Sequence, residues 1–213
     1  MKLYDYWRSG ASFRVRIALN IKGIDYQQQA VNLIKDGGQQ HNDDYRAINP
    51  QGFVPALVTN GESITQSMAI IEYLNEVHPN PPLLPAEPLA RARVRAMANV
   101  IAADTHPIQN LRILQKLKAI DFDQTQVNEW GAHWIEQGFA SLERMLDNGP
   151  KGEFFFGDTV TLADIAIAPQ LLNAERFEAD LSKTPRVVEK IKRLFELPEF
   201  DKAKPENQPD APQ

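Results

Sequence analysis

Between His78 and Pro88 the sequence reads HPNPPLLPAEP, which places five of the chain's 15 prolines within eleven residues. Proline fixes φ and has no N–H to donate, so this stretch excludes both a continuing helix and a central strand. The chain is therefore expected to form two domains that meet here, 1–82 and 87–213. Its 213 residues suffice for two small domains of this kind.

The two sides of the boundary are patterned differently. Before it the elements are short and mixed. KLYDYW reads as a strand, Ser12 to Lys22 as a helix closed by Gly23 in a left-handed cap, and Tyr26 to Leu33 as a second strand. A weakly patterned stretch, Gly37 to Ile48, leads to NPQGFVPALVT, the turn Asn60-Gly61, a short strand at Ser63 to Thr65 and the helix QSMAIIEYLNEV. The order is β-α-β-α-β-β-α, an α/β unit.

After the prolines almost everything is expected to be helical. Leu89 to Leu117 is read as one helix kinked by Pro107, and Thr125 to Leu146 as another, with Trp130, Trp134 and Leu142 on one stripe that faces a core or an interface. Thr161 to Phe177 opens as TLAD, where Thr161 caps the helix and Asp164 reaches back in a shortened capping box, a folding role rather than a catalytic one. Pro185 starts a last helix, RVVEKIKRLFEL, at the position where its missing N–H costs nothing. The tail AKPENQPDAPQ is expected to be extended or disordered.

Composition removes several function classes. No apolar run approaches the roughly 18 residues that a membrane span needs, and MKLYDYWRSG lacks the apolar core of a signal peptide, so no membrane association and a cytoplasmic location are expected. A formal charge of −5 argues against general affinity for nucleic acid. With no cysteine, the chain has no thiolate, disulfide or zinc–sulfur site of its own, and any sulfur chemistry must be imported. No metal site is expected.

Ser9, Gly10, Ala11 and Ser12 lie where the first strand hands over to the first helix, so unpaired N–H groups and the positive end of the helix dipole face an anion there. A serine hydroxyl in that place can donate to a thiolate or oxyanion, and it can equally act as a plain helix cap. Val54-Pro55 precedes a short strand and can leave the Val54 backbone open to an extended, peptide-like ligand. Gln66-Ser67 opens the next helix as the first turn does, offering a second anion site suited to a carboxylate, or again a cap.

Taken together, YWRSGASFRVRIALNIKGIDY, VNLIKDGGQQ, NPQGFVPAL, QSMAIIEYL, HPIQNLRIL, GDTVTLADIAIAPQ and NAERFEADL resemble the zeta class of glutathione transferases, whose members include maleylacetoacetate isomerases and bacterial maleylpyruvate isomerases. The resemblance extends over nearly the whole chain. It implies a thioredoxin-like N-terminal domain that binds glutathione, an all-α C-terminal domain that shapes the second substrate site, and a homodimer.

Carried over by position, the resemblance places Ser9, Gly10, Ala11, Ser12, Phe13 and Arg14 around the glutathione sulfur, with Ser9 and Ser12 as the catalytic hydroxyls. Gln40 lies on the loop before the third strand, Val54 would pair with the cysteinyl backbone, and Gln66 with Ser67 would hold the γ-glutamyl carboxylate. His106, Asn110, Leu111 and Arg112 match positions that complete the pocket. Many zeta members read Ser-Ser-Cys in the turn, whereas this chain reads Ser9-Gly10-Ala11, so that cysteine cannot be essential here.

The implied reaction is cis–trans isomerisation of maleylacetoacetate to fumarylacetoacetate, in aromatic amino acid catabolism, by reversible addition of glutathione thiolate to the double bond. Maleylpyruvate is the alternative substrate, and conjugation of small electrophiles such as α-halo acids, or a non-enzymatic binding module, are the competing roles. A dicarboxylate substrate calls for guanidinium forks, for which Arg8, Arg112 and Arg176 are the candidates. Arg14 and Arg16, inside the amphipathic first helix, read as largely structural or solvated.

Overall fold

A computed structural model of the chain describes residues 1–212. The chain divides into two compact units, one formed by Met1–Pro82 with the segment from Leu197 onward, the other by Leu83–Glu196. No helix among the described residues is long and apolar enough to cross a membrane.

The first unit holds the expected thioredoxin-like order. Four strands, β1 (Lys2–Asp5), β2 (Gln27–Ala30), β3 (Ala56–Thr59) and β4 (Glu62–Thr65), form one sheet in the order β2-β1-β3-β4. β1 pairs parallel with β2 and antiparallel with β3, which pairs antiparallel with β4. β2 is shorter than the expected 26–33 stretch because its only neighbour, β1, offers four residues to pair with. The weakly patterned stretch resolves into two single 3₁₀ turns and α2 (Asp43–Ile48).

Helix α1 (Gly10–Ile21) is buried from Ser12 to Leu19 on every face. It ends as the sequence indicates: Gly23 adopts φ +61°, and the N–H of Ile24 reaches back to the carbonyl of Leu19. An amphipathic helix would leave one face to water, yet α1 packs against both α3 (Ser67–Val77) and α10 (Pro198–Asp201).

The C-terminal segment thus covers the helix, correcting the expectation of a disordered tail and of residues 197 onward in the second domain. Phe200 and Ala203 are buried, and Asn20 Nδ2 donates to the Glu199 carbonyl at 2.9 Å. Burying Phe200 alone contributes on the order of 2 kcal/mol. A proline-rich composition disfavours regular structure but does not prevent docking once apolar anchors are present.

The same cover explains Arg16, which is wholly buried rather than solvated. Its guanidinium donates to Asp5 Oδ2 at 2.9 Å, to the Trp7 carbonyl at 2.9 Å and to the Ala203 carbonyl at 3.1 Å. Burial pushes the Asp5 carboxyl above its ordinary range, with Arg16 acting in the opposite direction. Arg14 is 2% exposed, and desolvation pushes its guanidinium down to about 10.

The second unit is helical. α4 (Pro88–Asn99) passes into a π-helical turn, Val100–Thr105, then a 3₁₀ turn, Pro107–Gln109, and α5 (Leu111–Lys118). The expected single helix is therefore broken, not merely kinked. Pro107 has no N–H to continue the ladder, the His106 N–H bonds five residues back to Ile101, and Asn110 caps a new helix. Likewise the 161–177 stretch splits into α7 (Leu162–Ile167) and α8 (Gln170–Arg176) around Pro169.

α6 (Gln124–Met145) starts with a reciprocal capping box between Asp123 and Gln126. It lies close enough to α8 and the π turn that side chains are excluded at two points: a Cβ on Gly131 would sit 2.6 Å from the Phe177 ring, and one on Gly138 would collide with Thr105 Oγ1. Trp130 donates Nε1–H to the Ile108 carbonyl at 2.8 Å and meets Trp134 edge-on at 5.8 Å, an internal packing role. Pro185 opens α9 (Pro185–Leu194) as expected.

Asp164 is a fully buried carboxylate with three hydrogen bonds. Within α7, it accepts from the Phe155 N–H at 2.9 Å, the Thr161 N–H at 2.8 Å and the Thr161 hydroxyl at 2.7 Å. It ties the loop at Phe155 to the helix start, so the folding role expected for it extends beyond a simple cap.

Candidate active site

Strand register decides which loops come together. β1 runs out at Asp5; Tyr4 lies opposite Ala56, the first residue of β3, and Ala56 lies opposite Thr65, the last residue of β4. β2 runs parallel to β1 and ends level with Asp5. The turn to Ser9, the Val54-Pro55 segment, the Gln66-Ser67 helix start and the loop carrying Gln40 therefore all meet the sheet at one end.

Ser9 is the N-cap of α1, at φ −68° and ψ 118°, and its Oγ accepts from the Ser12 N–H at 3.2 Å. Because the oxygen is the acceptor in that bond, the hydroxyl proton is left to donate elsewhere. Gly10 and Ala11, half-buried, are the first residues of the helix, where backbone N–H groups have no partner within it and no long side chain screens them. Ser12 lies one turn deeper: its Oγ is buried with no hydrogen-bond partner among the described residues, and Phe13 is buried beside it.

Val54-Pro55 is a cis peptide. Val54 precedes the ladder, which begins at Ala56, and packs in a cluster with Tyr6, Val31 and Tyr45, against Trp7. The preceding carbonyl, Phe53, accepts from Tyr45 Oη at 2.5 Å and Asn49 Nδ2 at 2.7 Å, which fixes the strand entry. Burial raises the Tyr45 hydroxyl well above the ordinary tyrosine range, so it stays a donor. Gly52 has φ +66°, and a Cβ there would approach the Gln40 carbonyl to 2.9 Å, so this segment and the Gln40 loop touch backbone to backbone. Gln40 is 7% exposed; its Nε2 donates weakly to the Leu33 carbonyl at 3.4 Å, and its Oε1 has no partner among the described residues.

Gln66 is an exposed N-cap held at φ +69°, a conformation that costs a non-glycine residue about 1 kcal/mol or more. Its Nε2 donates to Gln51 Oε1 at 2.7 Å. Ser67, 7% exposed, is the first residue of α3, whose leading N–H groups are unpaired within the helix.

In the second unit, His106 follows the π turn, Asn110 caps α5 through the Arg112 N–H at 3.5 Å, Leu111 is half-buried and Arg112 is exposed. These four gather at one inter-helical connection. Arg176 stands apart, at the end of α8, with its guanidinium 5.1 Å from the centre of the buried Phe177 ring. In the first unit, Arg8 is exposed, 5.6 Å from the Trp7 ring centre.

Sequence reasoning missed Gln51, Gly52, Asn49 and Tyr45, which shape the Val54 and Gln66 segments. The Asn49-Pro50-Gln51-Gly52 run announces a turn, but nothing in it says which side chain returns to Gln66.

The family model for the glutathione S-transferase N-terminal domain matches residues 3–82, and that for the C-terminal domain matches residues 127–196. The chain is 48% identical, over all of its length and 99% of the relative's, to the maleylacetoacetate isomerase of Pseudomonas aeruginosa. Its fold superposes with a TM-score of 0.96, at 45% identity and complete coverage of both chains, on a holo maleylpyruvate isomerase described as a bacterial zeta-class glutathione S-transferase. A maleylacetoacetate isomerase from Methylobacterium extorquens AM1, solved with malonate and glutathione bound, matches at a TM-score of 0.94 and 40% identity, again covering both chains fully. With two family domains and near-half identity along its whole length, the chain belongs to the glutathione S-transferase family, in its zeta class.

Proposed function

We propose that the protein is a glutathione-dependent cis–trans isomerase of maleyl dicarboxylates, with maleylacetoacetate as substrate and fumarylacetoacetate as product. The observation that carries the reading is the convergence of Ser9, Val54 and Gln66-Ser67 at one end of the sheet. Glutathione fits these groups: two helix N-termini suit anions, and the Val54 backbone outside the ladder suits a peptide.

Bound glutathione supplies a thiolate able to add reversibly to a conjugated double bond, a nucleophile that a chain without cysteine cannot provide. The residues of the chain hold and polarise. The Ser9 hydroxyl donates its free proton toward the sulfur, and the N–H groups of Gly10 and Ala11 favour negative charge there, lowering the thiol pKa. Gln66 and the N–H of Ser67 take the γ-glutamyl carboxylate, and the Val54 backbone takes the cysteinyl peptide. Gln40, Phe13, Arg14 and Ser12 act behind these groups, Ser12 from the interior.

For the substrate, Arg8 of the first unit and Arg112 and Arg176 of the second are the guanidinium groups assigned to the two carboxylates, and His106, Asn110, Leu111 and Arg112 are assigned to glutathione. The reading carries with it a cytoplasmic homodimer, checked by light scattering on the pure protein and by fractionation of cells.

Loss of the cis substrate's absorbance in the presence of glutathione, and not in its absence, is the expected result; turnover indifferent to glutathione sinks the reading. Maleylpyruvate is a second substrate worth the same assay, because the fold match to a maleylpyruvate isomerase covers both chains in full. Formation of a stable thioether without isomerised product would assign conjugation instead.

A further inference from the structure

The turn that presents Ser9 is fastened from outside itself. The Ser9 N–H closes it onto the Tyr6 carbonyl at 2.9 Å, so Trp7 and Arg8 are its central residues. The Trp7 carbonyl accepts from Arg16 Nη2 at 2.9 Å, and the Trp7 N–H donates to Asp210 Oδ2 at 3.0 Å, across 203 residues of sequence. Both backbone polar groups of one residue in the turn are thus committed, one of them to the C-terminal segment.

That segment is itself anchored. Ala203 receives Arg16 Nε, Gln208 Nε2 donates to the carbonyls of Lys202 and Lys204 at 3.0 and 2.7 Å, and Gln28 Nε2 reaches Gln208 Oε1 at 3.4 Å. Phe200 and Ala203 are buried beneath it. A carboxylate held on this segment fixes the plane of the Tyr6–Trp7 peptide, whose carbonyl closes the turn, and with it the direction in which the Ser9 hydroxyl is aimed.

Building on the isomerase reading, we infer that Asp210 is a positioning residue: acting through the Trp7 N–H, it sets the turn that brings Ser9 to the glutathione sulfur. Removing it leaves a donor without its partner in the turn and lets the Ser9 cap drift. Misplacement of a reacting group by an ångström is enough to cost one or more powers of ten in rate.

The test compares Asp210→Ala, Asp210→Asn and Gln208→Ala in the full chain. Asparagine keeps an acceptor for the Trp7 N–H, whereas Gln208→Ala removes a neighbouring side chain of the segment and leaves the buried Phe200, the Arg16–Ala203 bond and the Asp210 carboxylate in place. Hydrogen exchange of the 4–13 segment is read first, since it needs no turnover, and then kcat and KM for glutathione with native protein as reference.

Asp210→Ala is expected to speed exchange at Trp7 to Ser9 about tenfold and to lower kcat by about tenfold or more, with Asp210→Asn and Gln208→Ala within about twofold of native. Native exchange in Asp210→Ala, or equal damage from all three substitutions, overturns the inference. Absence of glutathione-dependent turnover in the unsubstituted protein sinks the isomerase reading instead and leaves the exchange result to decide the role of Asp210 in the turn.

Discussion

Ser9 Oγ accepts the backbone N–H of Ser12 at 3.2 Å, while the Ser12 hydroxyl lies buried and without a partner among the described residues. Two serines three residues apart therefore have separate duties. Ser9 satisfies one orphan donor of α1 and still has a proton to offer; Ser12 faces the interior.

Ser9→Ala removes both the cap and the outward donor. The cap is worth about 1 kcal/mol, a small change in melting temperature. Loss of a donor aimed at developing charge is expected to lower kcat/KM by about a hundredfold and to raise the pH at which bound glutathione ionises, followed by thiolate absorbance. Ser9→Thr, which retains the hydroxyl, restores most of the activity.

Arg176→Ala separates substrate binding from packing. Its guanidinium lies against the Phe177 ring, so a structural loss would fall on stability and on every ligand alike. The expected outcome is a large fall in isomerase kcat/KM with glutathione affinity little changed in calorimetry. Equal loss of both would assign the residue to packing.

Asp164→Ala leaves two buried backbone donors, on Phe155 and Thr161, without their acceptor. Each orphaned donor costs on the order of 1–3 kcal/mol, so destabilisation of about 2–4 kcal/mol is expected from urea unfolding. Activity per folded molecule should stay native, since no part of the proposed chemistry passes through this carboxylate.

Glu87 caps α4 by accepting from the N–H groups of Leu89 and Ala90 at 2.8 and 2.6 Å, and these bonds hold its carboxyl below the ordinary glutamate range. The folded state thus binds that proton less tightly than the unfolded state. Its contribution is present above the unfolded pKa and is lost as pH falls through the folded one. The gap in urea midpoint between native protein and Glu87→Ala is expected at neutral pH and should narrow as the pH falls below the ordinary glutamate range.

Much of the site was legible because its signals are local. A serine before an amphipathic run, a Gln-Ser pair before another and a Val-Pro before a short strand each mark a backbone feature within a few residues. Their convergence also follows from the strand order once it is known. What stayed hidden were side-chain partners that no periodicity marks, near and far: Tyr45 and Asn49 for the Phe53 carbonyl, Gln51 for Gln66, and Asp210, 203 residues away, for Trp7.

By itself the sequence determined the proline boundary, the α/β character of one side and the helical character of the other, the Gly23 and Pro185 helix ends, and the need to import sulfur. These are consequences of single-residue chemistry and short-range periodicity. Only the tertiary structure decided that the C-terminal segment docks on the first unit, that Arg16 is buried with Asp5, and that two long helical stretches break at Pro107 and Pro169. Helical periodicity reports which face is apolar, but whether the other face meets water or distant chain is settled by contacts that leave no local pattern.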